Sequence, residues 1–210
     1  KQYKLILAGH AHIDMDWMWS YHEAVAITLS TFRTVLNLMN QYPDFCFSQS
    51  QASVYKIVEE YDPDMMPEIQ ARIKEGRWEI EGAMWVEADC NLISGESFVR
   101  QILQGKKFFK DEFDVDCQVL FLPDVFGYSA ALPQILKKSG IDYFVTSKIA
   151  WNDTNTMPVD RFMWEGIAGT EIYTNFITTQ EFRGMDPHRY TTYVGHLSPE
   201  QIKGTWNRFS

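Results

Sequence analysis

The chain has no apolar run of about 18 residues, so the sequence offers no membrane-spanning helix. It has no Cys-x-x-Cys pair and only three cysteines, Cys46, Cys90 and Cys117, set far apart. An odd, scattered set points to buried free thiols in a reducing compartment. No Gly-x-Gly-x-x-Gly follows an expected strand and no Walker-type loop is present, which leaves a nucleotide-binding fold without support. Basic residues are scarce: 19 against 28 acidic ones, a net charge of −9. Nucleic-acid binders show the opposite balance. The acidity suits a soluble enzyme for neutral or cationic ligands, or merely a soluble surface. No internal repeat or low-complexity stretch occurs. Lys1-Gln2-Tyr3 is no signal peptide; it reads as a cut just ahead of the first strand.

The 210 residues suffice for one good core or most of one, and 45% of them are hydrophobic. Aromatics make up 15%, with seven Trp and ten Tyr. Most belong in the core, and the rest suit carbohydrate or another ring-shaped ligand. The apolar run Tyr3 to Ala8 opens a buried strand over residues 4–10. Ser20-Tyr21-His22-Glu23 is a capping box, and Val25, Leu29, Phe32, Leu36 and Met39 then form one stripe of a long helix that stops at Pro43-Asp44. Further strands are expected at 45–48, 78–85, 118–122 and 143–146, and a hairpin over 162–178 turning at Ala168-Gly169 carries the sixth. Helices are expected at 52–60, 65–75, 95–113 behind an N-cap at Ser94, 131–139 ending at Gly140, and from Ser198-Pro199-Glu200 to Phe209. Strand and helix alternate, which demands a mostly parallel sheet covered by helices, either an open doubly wound sheet or a (β/α) barrel.

Sites in such folds form at the carboxyl ends of the strands. The residues there are His12, Asp14 and Asp16 after the first strand, then Ser48 and Gln51, then Glu87 and Asp89, then Asp124, then Lys148 and Trp151-Asn152-Asp153. His12 and Asp14 alternate, so they face one spot, and an imidazole beside a carboxylate is a metal-ligand arrangement. Each of these residues also has a plainer reading. Asp124 can cap its own turn, Glu87 and Asp89 can be solvated charges or sugar-hydroxyl ligands, Lys148 can be a surface lysine, and Trp17 can be core or a stacking platform. His10, His22, His188 and His196 have no second ligand in sequence reach and read as ordinary histidines.

Gly9-His10-Ala11-His12-Ile13-Asp14 with Trp17 and Trp19, Met84 to Leu92, Ser94-Gly95-Glu96-Ser97, Leu122 to Ser129, and Ser147-Lys148 with Trp151 to Asn155 together resemble glycoside hydrolase family 38, the metal-containing α-mannosidases. The likeness runs over nearly the whole chain. Asp124-Val125-Phe126-Gly127-Tyr128-Ser129 resembles the bacterial and cytosolic branch, since the Golgi and lysosomal branch has Asp-Pro-Phe-Gly-His-Ser there. The resemblance implies an α/β fold, a seven-stranded (β/α)7-type barrel at the N-terminus, incomplete in this chain as a single truncated domain over residues 1–210. It implies Zn²⁺, with Co²⁺ as an alternative, on His12, Asp14 and Asp124, with a further His ligand beyond Ser210. Asp124 is implied as nucleophile, Trp17 and Phe126 as aromatic sugar contacts and Lys148 as the basic residue holding the nucleophile; Glu87 and Asp89 are expected as substrate contacts from their place on the rim. The general acid/base Asp of the family falls beyond residue 210, so the fragment alone is expected to be inactive.

The reaction implied is hydrolysis of terminal α-mannosides of oligosaccharides with retention, in the cytoplasm, without nucleic acid or membrane; a homo-oligomer is compatible with the sequence. Two rivals stand beside it. A metal-dependent polysaccharide deacetylase also uses His/Asp ligands on a barrel but needs a further His pair, usually His-x-x-x-His, which is absent. A non-catalytic sugar-binding fragment is the other.

Overall fold

The computed structural model describes residues 7–148, 158–177 and 198–209. Thirteen elements follow in chain order: β1 (Gly9–His10), α1 (Tyr21–Gln41), β2 (Phe47–Gln49), α2 (Ala52–Tyr61), α3 (Met65–Lys74), β3 (Trp78–Ile80), α4 (Gly95–Phe113), β4 (Val119–Leu122), α5 (Leu132–Lys138), β5 (Tyr143–Thr146), β6 (Arg161–Glu165), β7 (Glu171–Phe176) and α6 (Pro199–Phe209). The fold is mixed α/β. β1, β2 and β3 form one parallel sheet, and β4, β5, β7 and β6 another, in which only β6 runs antiparallel.

Local chemistry sets the helix ends. The Glu23 carboxylate accepts the Ser20 backbone N–H at 2.7 Å and so holds the start of α1. Ser94 caps α4 by accepting the Ser97 N–H at 3.2 Å. Val25, Phe32, Leu36 and Met39 of α1 are buried as their spacing predicts, with Leu29 half-buried beside them. The helices close on an aromatic centre in which Phe32, Phe47 and Tyr55 all meet Trp78 edge-on. The Trp78 indole N–H donates to the Tyr55 hydroxyl at 2.9 Å, and that hydroxyl donates to the Gln49 carbonyl at 3.2 Å, so no polar atom of the two rings is stranded.

Three expectations are corrected. The strand expected over 78–85 ends at Ile80, because Gly82 and Ala83 both take positive φ, 94° and 57°. A Cβ at Gly82 would lie 2.7 Å from the Ser50 Cβ, so only glycine permits the corner. There the Gly82 N–H turns to the Val119 carbonyl at 3.1 Å, linking the first sheet to β4 of the second. Within the first strand, Leu7 is exposed and pairing starts at Gly9, whose N–H reaches the Cys46 carbonyl; residues 1–6 lie outside the described part. Cys90 and Cys117 are buried free thiols, but Cys46 is exposed, since it immediately precedes β2 at the sheet's amino-terminal edge. The hairpin is as expected: β6 and β7 turn at Gly169, φ 70°, with the Gly169 N–H on the Gly166 carbonyl. No described helix is long and apolar enough to cross a membrane.

Candidate active site

The loops after β1, β3, β4 and β5 bring five polar groups together. His12 is central. Its Nε2 lies 2.9 Å from Asp14 Oδ1 and 3.4 Å from Asp124 Oδ2. Its Nδ1 lies 3.1 Å from each carboxylate oxygen of Glu87. Both ring nitrogens therefore face carboxylates, an arrangement that favours the protonated ring. Burial disfavours that charge, but the hydrogen bonds and negative charges of Glu87 and Asp14 outweigh it and raise the pKa to about 9.

Asp124 follows β4, in a loop tied down by hydroxyls. Tyr128 donates to the Val125 carbonyl at 2.8 Å, Thr146 to the Leu122 carbonyl at 2.8 Å, and Ser147 to the Pro123 carbonyl at 2.9 Å. A Cβ on Gly127 would fall 2.9 Å from the Asn91 amide, so the loop is also packed against the segment after β3. Lys148, 7% exposed, sets its ammonium 2.5 Å from Asp124 Oδ1 and 4.6 Å from the centroid of the exposed Phe126 ring.

The sequence-expected residues thus divide. His12, Asp14, Asp124, Lys148 and Glu87 come together, and Phe126 stands at the edge of the group. Trp17 is 65% exposed, so it is not core. Asp16 is exposed with it. Asp89 is exposed, and its Oδ1 accepts the N–H groups of Asn91 and Leu92, so one oxygen is committed to its own turn. Trp151, Asn152, Asp153, His188 and His196 lie outside the described residues.

A second imidazole, not singled out from the sequence, lies two residues before the first. His10 donates from Nδ1 to the Ser48 carbonyl at 3.0 Å, stands 3.6 Å from Glu81 and meets the Phe121 ring edge-on. Burial lowers His10 to about 4 and raises Glu81 to about 7. Only knowledge of the strand register would have placed this pair beneath the site.

His12, Asp14 and Asp124 each offer a ligand atom, all within 4.8 Å of one another. One nitrogen and two carboxylate oxygens at this spacing fit a divalent cation, which His12, Asp14 and Asp124 would hold.

The profile of the glycosyl hydrolases family 38 N-terminal domain matches residues 2–210. The chain belongs to this family. Among curated glycosyl hydrolase relatives, alpha-mannosidase G of Dictyostelium discoideum is 43% identical over 83% of this chain, and human alpha-mannosidase 2C1 is 42% identical over 83%. The chain spans only 16% and 17% of their lengths. The crystal structure of an alpha-mannosidase from Enterococcus faecalis V583 superposes with a TM-score of 0.72 at 22% identity, over 80% of this chain and 19% of that one. That likeness concerns the fold.

Proposed function

We propose that this chain carries the nucleophile and three of the metal-ligating side chains of an α-mannosidase that removes terminal α-linked mannose from oligosaccharides with retention of configuration. The observation that supports this most is the meeting of His12, Asp14 and Asp124 within 4.8 Å. The names of the relatives, α-mannosidases at 42–43% identity, supply the reaction. We place both sheets in one (β/α) barrel domain, with the cluster at the carboxyl ends of its strands.

In this reading Asp124 attacks the anomeric carbon while a general acid gives a proton to the departing glycosidic oxygen. Water then displaces the aspartyl ester, restoring the original configuration. The general acid is not assigned to any described residue. Lys148 fixes the direction of Asp124 and compensates its charge. Trp17 and Phe126 present exposed rings to the apolar face of a sugar, and Asp89 is available to a hydroxyl. Zn²⁺ or Co²⁺ suits the mixed donor set, and such an ion supplies positive charge that holds neighbouring sugar hydroxyls. Free cysteines suit a reducing, cytoplasmic setting.

The test is Asp124→Ala in the intact protein. Hydrolysis of an aryl α-mannoside should fall at least a thousandfold, and a slow fluorinated mannosyl substrate should leave a covalent adduct on the wild-type Asp124 peptide. Unchanged retaining hydrolysis by the variant would remove Asp124 from the role.

A further inference from the structure

Glu87 was expected to touch substrate, but its surroundings say otherwise. Its side chain is only 5% exposed. Both oxygens lie 3.1 Å from His12 Nδ1, the ring nitrogen turned away from Asp14 and Asp124. Oε1 also accepts the Ser50 hydroxyl at 2.9 Å. Oε2 makes no further hydrogen bond among the described residues but is closed to solvent, so it is not open to a sugar hydroxyl.

The backbone around it is held as firmly. The Glu87 N–H donates to the Gln51 side-chain oxygen at 3.2 Å, while the same carboxamide donates from Nε2 to the Ile13 carbonyl at 2.9 Å. Gln51 is 3% exposed and adopts φ 65°, in the left-handed region unfavourable to a residue with a Cβ. Its amide thus braces Ile13, between His12 and Asp14, against Glu87. Upstream, the N–H groups of Trp85 and Val86 both bond Gln101 of α4, and those of Ala52 and Ser53 bond the carbonyls of Met84 and Trp85. Four segments remote in sequence are locked so that one carboxylate meets one imidazole.

We propose that Glu87 is the positioning residue of the metal centre: it accepts the His12 Nδ1 proton, which fixes the ring's tautomer and aims Nε2 at the point shared with Asp14 and Asp124. Ser50 and Gln51 hold Glu87 for that task. A carboxylate acceptor on the far nitrogen also makes the ligating nitrogen more basic, and loss of such a partner typically weakens metal binding about 10–100-fold. The proposal rests on the metal reading of the cluster.

The test uses the intact protein, stripped and reloaded with Co²⁺ or Zn²⁺, with affinity measured by chelator competition. Glu87→Gln, which keeps a neutral acceptor, should weaken metal binding about tenfold, and Glu87→Ala about a hundredfold. The Co²⁺ absorption bands of the fully loaded Glu87→Gln protein should shift, which a purely structural role would not cause. Mannose affinity at saturating metal should stay within twofold of wild type. Should Glu87→Ala fail to fold, Ser50→Ala removes one of Glu87's hydrogen bonds and should weaken metal binding about threefold. Wild-type metal affinity and spectrum in Glu87→Gln, or a selective loss of mannose affinity, would overturn the proposal while leaving the metal cluster intact. Failure of the wild-type protein to bind any divalent ion would instead overturn the metal reading, and this proposal with it.

Discussion

Lys148 Nζ lies 2.5 Å from Asp124 Oδ1, with the lysine almost wholly buried. The pair joins the ends of two neighbouring strands, β4 and β5. Removing Lys148 takes a buried compensating charge from Asp124 and leaves it to the His12 ring 3.4 Å away, at a cost of about 3 kcal/mol. Lys148→Met should therefore lower stability by about that amount, measured by urea unfolding in the presence of chelator. Adding Asp124→Asn should restore part of it. Additive losses in the double variant would show that the two charges do not depend on each other.

Trp17 and Trp78 should respond in opposite ways. Trp17 is 65% exposed and Trp78 only 1%. Trp17→Ala should change stability by no more than about 0.5 kcal/mol, yet raise KM for an aryl α-mannoside about tenfold. Trp78→Ala should cost about 3–5 kcal/mol. Loss of fold in Trp17→Ala, seen by thermal melting, would contradict its exposed place, and an unchanged KM would contradict its proposed contact with the sugar.

Gly105 sets helix propensity against packing. Alanine is the better helix former by up to about 1 kcal/mol, and Gly105 lies within α4. However, its Cβ would come 2.4 Å from the Ala83 oxygen and 2.5 Å from the Met84 carbonyl carbon. Those are backbone atoms of the corner leading to Glu87. Gly105→Ala should destabilise by about 2 kcal/mol, read from denaturant midpoints. A stabilised variant would mean that α4 does not press on this corner.

Glu81 carries a pH dependence of definite sign. Burial, aided by Glu79 and Glu87 and opposed by a hydrogen bond from Ser48, raises it from 4.5 to about 7. Between those values the folded chain binds more protons than the unfolded one, so this group's contribution to stability falls as pH rises and stays lost above about 7. His10 runs the other way: burial holds it neutral down to about 4 instead of 6.5, so its contribution grows as pH rises across that window. The two nearly offset each other in wild type. Glu81→Gln removes one of them. Relative to wild type it should gain roughly 3 kcal/mol between pH 4.5 and 8, since each tenfold change in proton affinity is worth about 1.4 kcal/mol. A pH-independent difference in unfolding free energy, measured in chelator, would refute the buried, protonated Glu81.

What could be read from the chain was mostly local or periodic. Ser20 and Glu23 announce α1, Ser94 announces α4, and Gly169 marks the hairpin turn, because each acts within a few residues of itself. His12, Asp14 and Asp124 were each legible as residues at the carboxyl end of a parallel strand, though they follow strands of two different sheets. The break at Gly82 is hidden because Trp78-Glu79-Ile80-Glu81 alternates as a strand does and Ala83-Met84-Trp85 continues it with apolar residues. Only the approach of Ser50 and the turn toward Val119 explain why the strand stops. Glu87 was legible as a rim carboxylate, but its partner was not: His12 and Glu87 are 75 residues apart. The bracing role of Gln51 depends on a left-handed backbone that no sequence pattern signals.

The most direct test of the central claim is a metal titration of the intact protein with and without the ligating side chains. Wild type should bind one divalent ion tightly per chain, while His12→Ala and Asp14→Ala should each lose at least a hundredfold in affinity with their folds preserved by circular dichroism. Equal metal content and affinity in all three proteins would contradict the account.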